Sequence, residues 1–280
     1  MNRLAIFGFG LIGGSVALAA RVADPGVHIT AIDRALVLGS PEAARVADAL
    51  VDVSDFVAAE RALANSTLTV LAAPVSVICE RVIWALEHAP IVTDCGSTKR
   101  RVLEQARKSP QARRFVPGHP MSGLPEGGVR NASAELFQGR PWIVCAEGAD
   151  ADAVSEVERW VGRFGARLLR FSAELHDAAV ARTSHLPQLL ASALSLIGEA
   201  RGARSAAGPA FERATRIAGG PESMWRDIFA SNGDEIARAL RELFAELEPV
   251  LAEFEAGTGT QGADSLLARA RQLRASQESK

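Results

Sequence analysis

Cysteine is scarce in this chain. Cys79, Cys95 and Cys145 are odd in number and make no C-x-x-C pair, which excludes a disulfide framework and leaves no zinc-site spacing. Long apolar runs are missing as well, since no stretch approaches the roughly 20 residues that span a bilayer. The first strand begins almost at the N-terminus, leaving no room for a cleavable signal, so a reducing cytoplasm is the expected location. An excess of one charge sign is lacking too. Lys and Arg number 31 against 33 Asp and Glu, a formal net charge of −2, which gives no general attraction to nucleic acid or to a membrane surface. There is no H-E-x-x-H or comparable metal pattern, no internal repeat and no tyrosine, the last without mechanistic weight. What is present is 280 residues, enough for one large or two ordinary domains with buried cores.

The most informative stretch is Gly8-Phe9-Gly10-Leu11-Ile12-Gly13-Gly14-Ser15. It follows the apolar run Arg3-Leu4-Ala5-Ile6-Phe7 and precedes Val16 to Val22, a segment of good helix formers. The glycines therefore stand at a strand-to-helix turn, the context a dinucleotide fingerprint requires. Gly8 permits the tight turn, Gly10 the approach of a pyrophosphate, and Gly13 the close packing of helix on strand. The N–H groups of Leu11, Ile12 and Gly13 and the positive end of the helix dipole would face the phosphates. A second apolar run, His28 to Ile32, ends in Asp33, placed as the acceptor for a ribose 2′-hydroxyl. Arg34 beside it can stack on adenine or tolerate a 2′-phosphate. The unit predicts a nicotinamide or flavin dinucleotide site; the plain alternative is a glycine turn of another α/β protein.

Strand and helix signals then alternate. A helix is expected over 41–50, opened by Ser40 as N-cap with Pro41 in its first turn. A strand is expected over 68–73, stopped by Pro74, then a helix over 76–86, a strand over 91–94 and a helix over 98–107. This order predicts an α/β fold with a doubly wound parallel sheet. Ligands of such sheets lie beyond the carboxyl ends of the strands, which brings Ala73, Pro74 and Ser97 to the nicotinamide side of the cleft. Strands at 142–145 and 166–170 flank a helix over 151–164, and strand signals cease after Ser172. The expected division is a nucleotide-binding domain over 1–171 and an all-helical domain over 172–280. In the latter, Ile236, Leu240, Leu243, Leu247, Val250 and Phe254 follow a 4-3-4-3-4 spacing, the seam of a helix packed on its own domain or on a second copy.

Among five histidines, His119 stands out. Pro117, Gly118 and Pro120 around it predict a loop held in a defined turn, from which an imidazole can take a hydroxyl proton near neutral pH. A merely packed loop histidine is the alternative. Ser97 can orient that imidazole, bond the same hydroxyl, or cap the helix over 98–107. His176 and His185, nine residues apart on an expected helix, fall on opposite faces at about 100° per residue, so no metal pair is expected.

Five segments together resemble one family: the glycine turn, Asp94-Cys95-Gly96-Ser97-Thr98-Lys99, Gly118-His119-Pro120-Met121-Ser122-Gly123, Thr183-Ser184-His185-Leu186-Pro187 and Met224-Trp225-Arg226-Asp227-Ile228. They are similar, in this order and over nearly the whole chain, to prephenate/arogenate (cyclohexadienyl) dehydrogenases. The resemblance implies a Rossmann domain with a helical dimerisation domain, a homodimer through the C-terminal helices, and NAD (or NADP) as cofactor. It implies oxidative decarboxylation of prephenate to 4-hydroxyphenylpyruvate, or of arogenate to tyrosine. By motif, His119 matches the base for the substrate hydroxyl and Ser97 its helper, both catalytic. Arg216 matches the ligand of the ring carboxylate, with Ser184, His185 and Gln188 also on the substrate side. Two positions depart: Gln188 stands where many members have histidine after S-H-L-P, and Pro125, followed by Glu126, where many have an acidic residue. The competing classes are another two-domain Rossmann oxidoreductase, of β-hydroxyacid dehydrogenase or imine reductase type, and a non-catalytic NAD-binding regulator.

Overall fold

A computed structural model describes residues 2–124 and 126–278 of the chain, so Pro125 lies outside the described residues. The N-terminal half runs β1 (Arg3–Phe7), α1 (Leu11–Ala23), β2 (His28–Asp33), α2 (Ala35–Leu38), α3 (Pro41–Val46), β3 (Ala49–Asp52), α4 (Phe56–Ala64), β4 (Leu68–Leu71), α5 (Val75–His88), β5 (Val92–Asp94), α6 (Arg100–Ala106) and β6 (Phe115–Val116). The six strands form one sheet in the order β3-β2-β1-β4-β5-β6, all parallel. Successive side chains of a strand point to opposite faces, and β1 feeds two cores accordingly. Leu4 and Ile6 pack with α1 and α7 (Ala151–Arg163), whereas Ala5 and Phe7 pack with α5 and α6. Covering both faces is what makes these strands uniformly apolar. The strand order reverses direction between β1 and β4, the switch point at which such sheets bind ligands.

Two expectations for this half are corrected. Ser40 does cap its helix, accepting from Ala43 N, worth about 1 kcal/mol, but the helix expected over 41–50 ends at Val46. Ala49–Asp52 instead adds the edge strand β3 alongside β2, because pairing beside an open edge outweighs the helix propensity of Ala and Leu. The helix expected from 98 begins at Arg100, and no side chain of its own connection caps it.

After β6 the chain turns at Pro117 into a separate three-stranded sheet of β7 (Gly118–Pro120), β8 (Pro141–Val144) and β9 (Arg167–Arg170). His119 thus lies on a strand, not in the expected loop, paired antiparallel with Ile143. The short strand is dictated by its partner rather than by its own Pro-rich sequence. From Ala173 onward the chain is helical: α8 (Ala173–Val180), a π turn (Ala181–His185), α9 (Leu186–Glu199), α10 (Pro209–Thr215), α11 (Glu222–Ala256) and α12 (Gln261–Glu278). Pro187 does not interrupt α9, since it sits in the first turn, where a missing N–H costs nothing. The long helix α11 kinks at buried Asn232, whose φ of −135° and ψ of 24° are non-helical.

Candidate active site

The glycine turn is shaped by two close approaches. Gly8 has a φ of +91°, and a Cβ there would stand 2.5 Å from the Ala72 carbonyl oxygen; one on Gly13 would stand 2.0 Å from Gly8 O. These contacts seat the start of α1 between β1 and β4. Gly10 differs, for a Cβ there meets nothing within 4 Å and it borders the main cleft. Gly10 gives α1 no side-chain cap, and the helical ladder starts with Gly14 N to Gly10 O at 2.9 Å. The N–H groups of Leu11, Ile12 and Gly13 are the unpaired start of a helix, suited to a phosphate. Asp33 ends β2 with one carboxylate oxygen accepting from Phe9 N at 2.6 Å and the other from Arg34 N at 2.7 Å. Each oxygen keeps a lone pair for a ribose hydroxyl. Arg34 itself is exposed, 3.9 Å from the Asp33 carboxylate. These residues fit a dinucleotide.

The cleft, about 460 Å³, is lined by this turn, by Ala73 and Pro74, by Ser97 and His119, and by Met224, Asp227 and Ile228 of α11. A fully buried ion pair fixes its floor. Lys99 bonds Asp94 and also donates to Gly118 O at 2.6 Å, while Asp94 accepts from Gly118 N at 3.0 Å and Gly96 N at 2.9 Å. Gly118 is thereby held from both sides, and its neighbour His119 with it. Removing either charge would leave the other buried and unpaired, a cost of about 3–5 kcal/mol.

His119 Nδ1 lies 2.8 Å from His176 Nε2, and His176 Nδ1 lies 2.7 Å from Asp177 Oδ1. Burial first, then the neighbouring His176, Lys99 and His185, holds the His119 pKa well below the usual histidine range. Burial also lowers that of His176, against the opposing pull of Asp177. Burial would raise the Asp177 carboxyl, but hydrogen bonds from His176 and from the backbone of Lys99 and Arg100 keep it below the ordinary value. Ser97 lines the cleft and makes no hydrogen bond to the imidazole among the described residues, so His176 is the orienting partner. Neither does Ser97 cap α6. That cap comes from Asp177, whose carboxylate accepts from Lys99 N at 2.7 Å and Arg100 N at 3.0 Å.

The His176–Asp177 pair went unrecognised in the sequence, although a histidine beside an acid at the start of the helical half is a usable signal. The phase of the helix concealed it. The π turn at Ala181–His185 absorbs one extra residue, so His176 and His185 are offset like residues eight apart, by about 80° rather than 180°. Both are buried. His185 Nδ1 lies 3.3 Å from Asn232 Nδ2, which also donates to Asp177 O at 2.8 Å, and burial pushes the His185 pKa down to about 4. Gln188 is buried near Trp225, and Ser184 is half-buried; neither borders the cleft. Arg216 begins a short 3₁₀ turn, is exposed, and makes no ion pair among the described residues. Burial raises the Cys95 thiol and pushes Cys145 up to about 12, which disfavours the thiolate at both.

Comparison with known proteins agrees with this architecture. Residues 16–170 match the profile of the prephenate dehydrogenase nucleotide-binding domain, and residues 172–268 that of its dimerization domain. The prephenate dehydrogenase of Bacillus subtilis is 32% identical over 267 residues, 89% of this chain and 69% of that protein. The cyclohexadienyl dehydrogenase of Zymomonas mobilis is 30% identical over 88% of this chain and 86% of its own length. A crystal structure of the A. aeolicus prephenate dehydrogenase, in complex with hydroxyphenyl propionate and NAD+, superposes with a TM-score of 0.84 at 24% identity, covering 100% of this chain and 98% of the other. That likeness shows the shared fold, and the two profiles cover most of the sequence: the chain belongs to the prephenate dehydrogenase family.

Proposed function

We propose that the protein carries out NAD-dependent oxidative decarboxylation of prephenate to 4-hydroxyphenylpyruvate, with His119 as the base. The observation that carries this role is that Nδ1 of His119 is taken by His176 while the ring borders the cleft beside the glycine turn. Nε2 is the nitrogen left for a substrate. The bound nicotinamide supplies the acceptor for the hydride from C4 of the ring. His119 takes the C4 hydroxyl proton as that hydride leaves, and carbon dioxide departs from C1 as the ring becomes aromatic. Ser97, on the same wall, is placed to bond the hydroxyl. Asp33 accepts from the ribose and repels a 2′-phosphate, favouring NAD over NADP.

For the ring carboxylate we retain Arg216, on its motif and its unpaired guanidinium, which suits bidentate recognition. It follows Thr215 at the end of α10, five residues before Pro221 on the cleft wall. Ser184, His185 and Gln188 form the support behind that wall. Gln188 is always neutral and offers both a donor and an acceptor, so turnover of arogenate beside prephenate is expected. The domain division is taken at 171/172, and the exposed apolar residues of α11 and α12 as the contact of a homodimer in the cytoplasm.

The test follows NADH formation with prephenate, arogenate and 3-hydroxy acids. Turnover of prephenate is expected. Turnover of a 3-hydroxy acid without prephenate would place the protein among the β-hydroxyacid dehydrogenases, and cofactor binding without any turnover would make it a regulator.

A further inference from the structure

We infer that His176 and Asp177 on α8 are a positioning pair that sets the tautomer of His119, so that the base is assembled only where the helical half docks on the nucleotide-binding half. This rests on His119 being the base. The protons can be placed one after another. Asp177 accepts on Oδ1 from Lys99 N at 2.7 Å and on Oδ2 from Arg100 N at 3.0 Å and Arg100 Nε at 3.2 Å. An ionised carboxylate is an acceptor alone, so the 2.7 Å contact to His176 requires the proton on His176 Nδ1. The neutral His176 then presents a lone pair at Nε2, and the 2.8 Å contact requires His119 to carry its proton on Nδ1. Nε2 of His119 is left with the lone pair. The opposite tautomer of His119 would set two lone pairs against each other at 2.8 Å, with no proton between them.

Nothing nearby offers an escape from this arrangement. His176 and Asp177 are fully buried, so water does not replace either partner. The other titratable groups facing the two rings are Lys99 with Asp94 behind it, from the β5–α6 connection, and His185 from the π turn. Lys99 opposes a resting positive charge on either imidazole. On reaction one proton moves, from the substrate hydroxyl to His119 Nε2. The imidazolium so formed keeps its Nδ1–H bond to His176, and the Asp177 carboxylate one ring further stabilises the new charge. The same carboxylate caps α6, so orientation of the base and docking of α8 on α6 depend on one group.

Replacement tests this through readouts that mere structural damage would not reproduce. His176→Leu removes the acceptor, and kcat should fall by about 10- to 1,000-fold with the KM for prephenate and the Kd for NAD nearly unchanged. His176→Gln, which keeps an acceptor towards His119 and a donor towards Asp177, should recover part of that loss. On the unaltered protein, ¹⁵N NMR of the imidazoles should show Nδ1–H with a lone pair at Nε2 for both His119 and His176, even should the leucine variant fail to fold. The opposite tautomer at His119, or a folded His176→Leu enzyme with full kcat and an unchanged pH profile, would overturn the inference. His119→Asn separates the two levels. If that variant is fully active, the base assignment fails; if it is inactive while His176→Leu is not, only the positioning pair fails.

Discussion

At the scale of single residues, the cleft distinguishes groups that act from groups that hold. His119→Asn keeps a hydrogen-bonding side chain without a usable base, and kcat should fall by about 10²- to 10⁴-fold with NAD binding little changed. A fully active variant would reject the assignment. Because burial, His176, Lys99 and His185 all disfavour the protonated ring, the acid side of the pH–rate profile should lie below the ordinary histidine range, with the base ready at neutral pH. Asp33 gives a separate test. Its two oxygens already accept from Phe9 N and Arg34 N, which aims the carboxylate at the ribose edge, and kcat/KM should favour NAD over NADP. Asp33→Ser should narrow that preference, and a native preference for NADP would contradict the role.

At the scale of elements, local patterns were legible and long-range partners were not. The β1 turn could be read because strand, glycines and helix are contiguous from Arg3 to Ala23, and steric demands such as that at Gly8 are local. β3 could not, because Ala49–Asp52 is a strand only by virtue of β2 beside it. His119 was singled out, but its strand pairing with Ile143 and its link to His176 join segments far apart in sequence. One π turn was enough to mislead the helical phase. The α11 seam was half legible. Ile236 is buried and Leu240, Leu243 and Val250 half-buried, so the near end packs within the chain, whereas Leu247 and Phe254 stay exposed beside Phe244 and Leu251. Such a row is more apolar surface than one helix leaves to water without a partner. If this row is the contact of the proposed homodimer, the double variant Leu247→Glu, Phe254→Glu should shift the protein from dimer to monomer in light scattering. A persisting dimer would move the contact elsewhere.

At the scale of the whole molecule, stability and pH are linked through the buried His176 and His185 and the half-buried His119. His119, His176 and His185 all have pKa values lowered, by burial first. A depressed histidine is neutral in the folded chain but protonates in the unfolded chain near its ordinary 6.5. Its contribution is therefore complete above about pH 6.5 and is lost as the pH falls towards the folded value. For His185, pushed down to about 4, the loss is on the order of 3 kcal/mol. The urea midpoint should drop clearly between pH 7.5 and pH 4.5, and an unchanged midpoint would show that the histidines are not held neutral. The two halves meet through α6 and α5 of one and α8 and α11 of the other. Asp177 caps the first at Lys99 and Arg100, Asp227 receives Ser76 N at 3.0 Å on the second, and Arg100 reaches Asp234 at 2.6 Å. In evolutionary terms these halves are not interchangeable parts. A substitution at Asp177 is felt on both sides of the joint at once, so a chimera taking its nucleotide-binding half from a distant homologue should inherit the cofactor site intact and the base misaligned, and drift on one side is viable only with matching change on the other.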